Sequence, residues 1–285
     1  MGIRIITDSA SDILASCRPE ITVLPMTVTF GETAYRDGID LTHRQFYELL
    51  IEGESLPTTS QISPLPFEEA FQDAVNAGEQ VIAVTLSAKL SGTYQSACAA
   101  AQNFPGQVHV VNSENATIGE GILVQRAVQL MDQGLEAAEI ARLLEFEKKH
   151  ICLIALLDTL EYLKRGGRIS KSAALVGGLL SIKPVVAVRD GEVCMLGKAR
   201  GSRNGNNLLM QEIQKTVGID FERPYALGYT GLSDVLLQKY IEDSKALWCG
   251  KVPSLPVSTV GATIGTHVGP GAIAVAFFTK SYTEA

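Results

Sequence analysis

The sequence predicts an α/β protein of two domains. Residues 1–157 read as an N-terminal Rossmann-like parallel sheet with flanking helices, and residues 158–285 as a C-terminal α/β domain with a mixed sheet. Three observations carry this. Strand and helix patterns alternate up to Leu157, with one pair of consecutive helices, the signature of a parallel sheet covered on both faces. Composition and rhythm change at Asp158. Beyond it, two apolar runs meet at Arg189-Asp190-Gly191, a hairpin turn.

In chain order, Ile3–Thr7 is a buried strand that ends in Asp8-Ser9-Ala10-Ser11-Asp12. Open α/β sheets hold ligands at the carboxyl ends of their strands, although the same polar residues also cap a following helix. Val23–Phe30 is a second strand, Gly31–Asp40 a polar loop, and His43–Gly53 a helix with Phe46, Leu49 and Leu50 on one face. Pro57-Thr58-Thr59-Ser60-Gln61-Ile62-Ser63-Pro64 reads as a hydroxyl-dense loop between prolines, and Pro66–Gly78 as a helix. Val81–Leu86 is a buried strand that feeds a helix, Thr93–Gln102, through Leu90-Ser91-Gly92-Thr93. Such a turn sets hydroxyls and backbone N–H groups at the positive end of the helix dipole, a seat for an anionic head group or simply a helix cap. Val108–Asn112 is a strand, Ile118–Gln133 and Leu135–His150 are helices, and Ile151–Leu157 is an apolar strand.

Past Asp158, the run Thr159–Ser170 forms a short helix closed by Gly166-Gly167 and brings Lys164, Arg165 and Arg168 together. Ser172–Leu180 is a small-residue helix, followed by the hairpin of Lys183–Val188 and Glu192–Leu196. Lys198, Arg200 and Arg203 add three more cations in the next loop. Six cations in two segments of a chain with net charge −7 suit an anionic partner or phosphate group, and equally a solvated face. Asn204–Val217 and Ser233–Trp248 are helices around a strand, Tyr225–Tyr229. His267 lies in a glycine-rich loop before the last strand, Ile273–Phe278.

The bulk numbers bound the function. With 46% hydrophobic and 19% charged residues the chain is a globular protein with a large core, and its acidity argues against a broad nucleic-acid footprint. The five cysteines, Cys17, Cys98, Cys152, Cys194 and Cys249, are dispersed and form no C-x-x-C, so reduced thiols and no metal are expected. The start leads directly into a strand, and no apolar run is long enough to span a bilayer; a cytoplasmic location is expected.

Five segments together resemble the DegV family of bacterial fatty-acid-binding proteins. They are Ile6–Asp12, Thr59-Ser60-Gln61, Leu90–Ala97, Leu163-Lys164-Arg165-Gly166-Gly167-Arg168-Ile169 and His267-Val268-Gly269-Pro270-Gly271, in the family's order across nearly the whole chain. Two positions depart from the pattern: Ile62 where the family often has proline, and Asn112 where it commonly has aspartate. The resemblance implies a long-chain fatty acid as ligand, with no cofactor and no catalysis by this chain. Its carboxylate would be met by Thr59, Ser60, Ser91, Gly92, Thr93 and His267. It further implies a partner, an ATP-using fatty acid kinase of dihydroxyacetone-kinase-like type that makes an acyl phosphate. Arg168, Lys198 and Arg200 are then expected to face that partner or the phosphate.

The physics of such a ligand is asymmetric. Its tail gains about 0.8 kcal/mol per buried methylene, whereas an unpaired buried carboxylate is very costly. Hydroxyls and a protonated His267 are the expected remedy. One rival is a serine hydrolase built on Ser91, His267 and Asp8, although Ser91 lacks the G-x-S-x-G context. Another is a kinase in its own right, for which no G-x-x-x-x-G-K-[ST] loop is present.

Overall fold

The structure is a computed structural model that describes residues 2–13, 18–53, 55–169 and 182–280. The helix expected over Ser172–Leu180 lies outside these residues. Strands β1 (Gly2–Asp8), β2 (Ile21–Leu24), β6 (Glu79–Thr85) and β7 (Val108–Asn112) form an all-parallel sheet in the order β2-β1-β6-β7. Its faces are covered by α2 (Pro64–Asn76) and α3 (Thr93–Ala101) on one side, and α4 (Thr117–Asp132) and α5 (Ala137–Glu147) on the other. Their sequence reason is the unbroken apolar run Val81–Val84 in β6, buried on both faces as parallel strands are.

The run expected as one strand over Val23–Phe30 is two. Proline has no N–H for a sheet ladder, and at Pro25 the chain leaves the parallel sheet. It then enters a small antiparallel sheet of β3 (Thr27–Phe30), β4 (Thr33–Arg36) and β5 (Thr58–Ser60), in the order β4-β3-β5. Both β4 and β5 fall in segments expected to be loops. Helix α1 (His43–Glu52) packs Phe46, Tyr47 and Leu50 against this lobe, together with Val28 and Ala262.

The second sheet is mixed and six-stranded: β8 (Ile151–Leu156), β9 (Ile182–Arg189), β10 (Glu192–Arg200), β11 (Tyr225–Tyr229), β12 (Val257–Thr259) and β13 (Ile273–Phe278), in the order β10-β9-β8-β13-β11-β12. The β9–β10 hairpin turns at Asp190 and Gly191, both at positive φ, as a two-residue turn of this hand requires. Strand β8, assigned by the sequence to the first unit, pairs with β9 and β13, so the seam between the sheets falls before residue 151 and not after 157. Helix α4 fills that seam. It is buried nearly all round, with Ile118, Ile122, Leu123 and Val124 sharing one core with Leu153, Ala274 and Ala276. Helices α7 (Ser202–Gln214), α8 (Val235–Asp243) and α9 (Lys245–Trp248) belong to the second sheet's own core, on its other face. Among the described residues, no helix is long and apolar enough to cross a membrane.

His267 is not in a loop. The glycines that suggested one bound a short helix, α10 (Ala262–Val268), which follows β12 and carries His267 in its last turn.

Candidate functional site

A cavity of about 250 Å³ lies where the three sheets meet. Met26, Leu86 and Ala116 approach it from the carboxyl ends of the parallel strands, the position this sheet class reserves for ligands. One face of the six-stranded sheet forms its floor.

That floor has a pattern set by register. Gly228 of β11 stands beside Ala274 of β13, Ala274 beside Ala155 of β8, and Ala155 beside Val186 of β9. Four strands at about 4.8 Å spacing make a shallow trough about 14 Å long, running across the strands. Leu153 and Val188 rise on one side of it, and Leu157 and Leu163 also line the space.

The polar end is a chain of adjoining groups. Thr59 sits on β5, where successive side chains point to opposite faces. Thr59 therefore turns inward and lines the cavity, while Thr58 and Ser60 are exposed. Ser60, expected at the head group, is thus directed to solvent by strand parity. The Thr59 hydroxyl lies 2.8 Å from His267 Nε2. Gly92 lines the cavity with the Gln61 amide packed on it, so close that a Cβ at Gly92 would fall 2.0 Å from Gln61 Oε1. Gln61 was not singled out by the sequence beyond its place in Thr59-Ser60-Gln61.

Ser91 lines the cavity and shares a hydrogen bond of 2.9 Å with the Thr93 hydroxyl. Thr93 itself is fully buried, outside the lining, and accepts from the Ile62 N–H at 3.4 Å. Of the Ser-Gly-Thr turn, two residues face the cavity and the third braces them.

Arg168 stands in the cavity wall. The loop after α6 (Glu161–Arg165) turns it inward, where Nε donates to Leu90 O at 3.1 Å and Nη1 to Gly166 O at 2.5 Å. Gly166 also backs the imidazole, since a Cβ there would meet His267 Nδ1 at 2.2 Å. Lys198 and Arg200, by contrast, lie on β10, a strand at the sheet's edge, and are exposed. They occupy a strand where a loop was expected.

The electrostatics follow from burial. His267 is pushed down to about 4, first by desolvation and then by the Arg168 charge, so it is neutral near pH 7. Its Nδ1 is buried with no hydrogen-bond partner among the described residues. Burial and the Arg168 charge thus disfavour the protonated His267 expected as counter-charge. Arg168 is the one cation among the described lining residues.

The hydrolase triad is not assembled. Asp8 accepts from Ala10 N at 3.0 Å and Leu86 N at 2.8 Å, and burial raises it to about 6. His267 Nε2 meets Thr59, and Ser91 meets Thr93. No base is hydrogen-bonded to Ser91, and no carboxylate orients the imidazole, among the described residues. Nor do they contain a His, Cys, Asp and Glu group able to hold a metal ion.

Comparison with known proteins gives one answer. The family model described as an uncharacterised protein, DegV family, matches residues 2–280. A DegV domain-containing protein of Caldanaerobacter subterraneus is 36% identical over 287 residues, covering 98% of this chain and 99% of that one. The solved structure of a DegV family protein from Thermus thermophilus, described by its fatty acid binding, aligns with a TM-score of 0.88 at 32% identity, over 98% of this chain and 100% of that chain. A stearic acid-binding protein from Eubacterium ventriosum aligns with a TM-score of 0.85 at 25% identity, over 98% of each chain.

Proposed function

The chain belongs to the DegV family, and from that premise we propose that it binds one long-chain fatty acid, tail along the Gly228–Ala274–Ala155 trough and carboxylate at the polar end. One observation carries the reading: an apolar trough of register-aligned small residues ends at hydroxyls, an amide and a single arginine. Thr59, Ser91, the Gly92 turn and His267 receive the carboxylate, Thr93 braces Ser91, and Arg168 supplies the charge. Ser60 has no part in this version of the site.

The test is native mass spectrometry of the purified protein, followed by delipidation and rebinding. A bound acid of long chain is expected. Ser91→Ala combined with Thr59→Ala should weaken rebinding by about 1–3 kcal/mol, since a buried ion is left short of donors. Unchanged affinity would move the head group elsewhere.

A bound carboxylate also changes His267. Burial and then the Arg168 charge push the His267 pKa down to about 4. An adjacent anion favours the charged form, so the ring's titration should move upward on binding. Ring proton shifts followed against pH, with and without oleate, measure it. No movement would deny contact between His267 and the carboxylate.

The partner is an ATP-dependent fatty acid kinase of dihydroxyacetone-kinase-like type, to which this non-catalytic chain presents the acid for acyl-phosphate formation. The resemblance supports this, together with the exposed cations of β10. Lys198→Glu with Arg200→Glu should leave the oleate Kd within about twofold, because exposed charges far from a ligand couple to it weakly. Acyl-phosphate yield with a purified kinase should fall severalfold. Loss of lipid binding in this variant would place the two residues at the ligand instead.

A further inference from the structure

We infer that Asp37 is a positioning residue for the Thr59–His267 pair, acting through the first turn of α10. The inference deepens the fatty-acid reading of the site and rests on it, except in its first readout.

Helix α10 is short, about 10 Å from end to end at 1.5 Å per residue. Its last turn carries His267, and Thr263, Ile264 and Val268 also line the cavity. A helix this short has little stability of its own, so tertiary contacts fix where it stands. Its first turn is gripped by two carboxylates from different parts of the chain. Asp37 accepts from Ala262 N at 3.2 Å through Oδ1 and from Thr263 N at 3.0 Å through Oδ2. Asp12 accepts from Gly261 N at 2.7 Å and from the Thr117 hydroxyl at 2.5 Å. All these bonds are buried, and Asp37 is 3% exposed.

What singles out Asp37 is its scaffold. It follows β4, and its own N–H donates to Met26 O at 2.9 Å, at the entrance to β3. Thr59 lies on β5, paired to Val28 of β3. One small sheet therefore holds α10 at both ends: Asp37 at the first turn, and Thr59 at the last through the 2.8 Å contact with His267. Two attachments a helix length apart fix both the axial position and the rotation of the imidazole. Asp12 ties the same end to the parallel sheet, which sets the lobe against the Ser91 turn.

The test is Asp37→Asn in the full, delipidated chain. Asparagine keeps the shape but puts an NH2 against one of the two helix N–H groups. The first readout needs no ligand. His267, pushed down to about 4 by burial and the facing Arg168 charge, should titrate higher in the variant, because a loosened helix admits water to the ring. An unmoved titration overturns the inference. The second readout is a double-mutant cycle with His267→Ala on oleate affinity. Asp37→Asn should weaken binding about tenfold in the parent, the size of a lost helix cap, and less than about twofold when His267 is already gone. Equal losses in both backgrounds overturn it too. Asp37→Glu, which keeps two acceptors, should recover most of the loss. If Asp37→Asn does not fold, Asp37→Ser, which keeps a single acceptor for the helix N–H groups, is read by the same two measurements. A parent protein that binds no fatty acid would sink the fatty-acid reading, and the titration would still decide the role of Asp37.

Discussion

Arg168→Ala should reduce fatty acid affinity by at least about thirtyfold, a loss within the roughly 2–5 kcal/mol that follows removal of one partner from a buried charge pair. The cause is the cost of a carboxylate that enters an apolar cavity. Hydroxyls and an amide satisfy its lone pairs without balancing its charge, and the imidazole starts out neutral. The guanidinium is already desolvated in part and fixed by Leu90 O and Gly166 O, so it meets the ligand at little cost in ordering. Arg168→Lys should fall between, since an ammonium keeps the charge but loses the planar fork. Calorimetry on delipidated protein gives the numbers. A Kd unchanged in Arg168→Ala, with transfer to the kinase lost, would return Arg168 to the partner-facing role that its sequence neighbourhood suggests.

The contrast between Arg168 and Arg200 shows what a sequence conveys and what it hides. Both read as members of basic loops. One is turned inward in part by a backbone acceptor 78 residues away, Leu90 O, a contact that no local pattern encodes. The parallel sheet was legible because continuous apolar runs and strand–helix alternation are periodic signals. Strands β4 and β5 of the small lobe were not, since they are too short and polar to show a period of two. That single miss accounts for Ser60, because strand parity decides which of Thr59 and Ser60 looks inward. Glycine misled at α10, where residues chosen for tight packing resemble residues chosen for flexibility. Asp37 was invisible for another reason: its partners are backbone N–H groups 225 and 226 residues away, which have no sequence signature of their own.

The trough allows a prediction of still larger effect, with chain length as the variable. Ala155 is the central step of the floor, flanked in register by Ala274 and Val186. In Ala155→Phe the ring would fill the space above the floor midway along the cavity. If about eight methylenes lose their burial, the gross loss is near 6 kcal/mol at about 0.8 kcal/mol each. Even after the released tail recovers some entropy, affinity for a C16 or C18 acid should drop by more than a hundredfold. An octanoate, which ends before the blockade, should lose far less. The ligand-free protein should melt within a few degrees of the parent, because the new ring occupies space that is empty and opens no cavity elsewhere. The length dependence is what decides. If C8 and C18 acids lose affinity equally, the substitution has disturbed the polar end and the tail does not follow the trough. If C18 binding is untouched, the alkyl chain leaves the carboxylate in another direction altogether. A steep loss confined to long chains would mean that the register of three strands, Gly228 against Ala274 against Ala155, sets where the acyl chain runs.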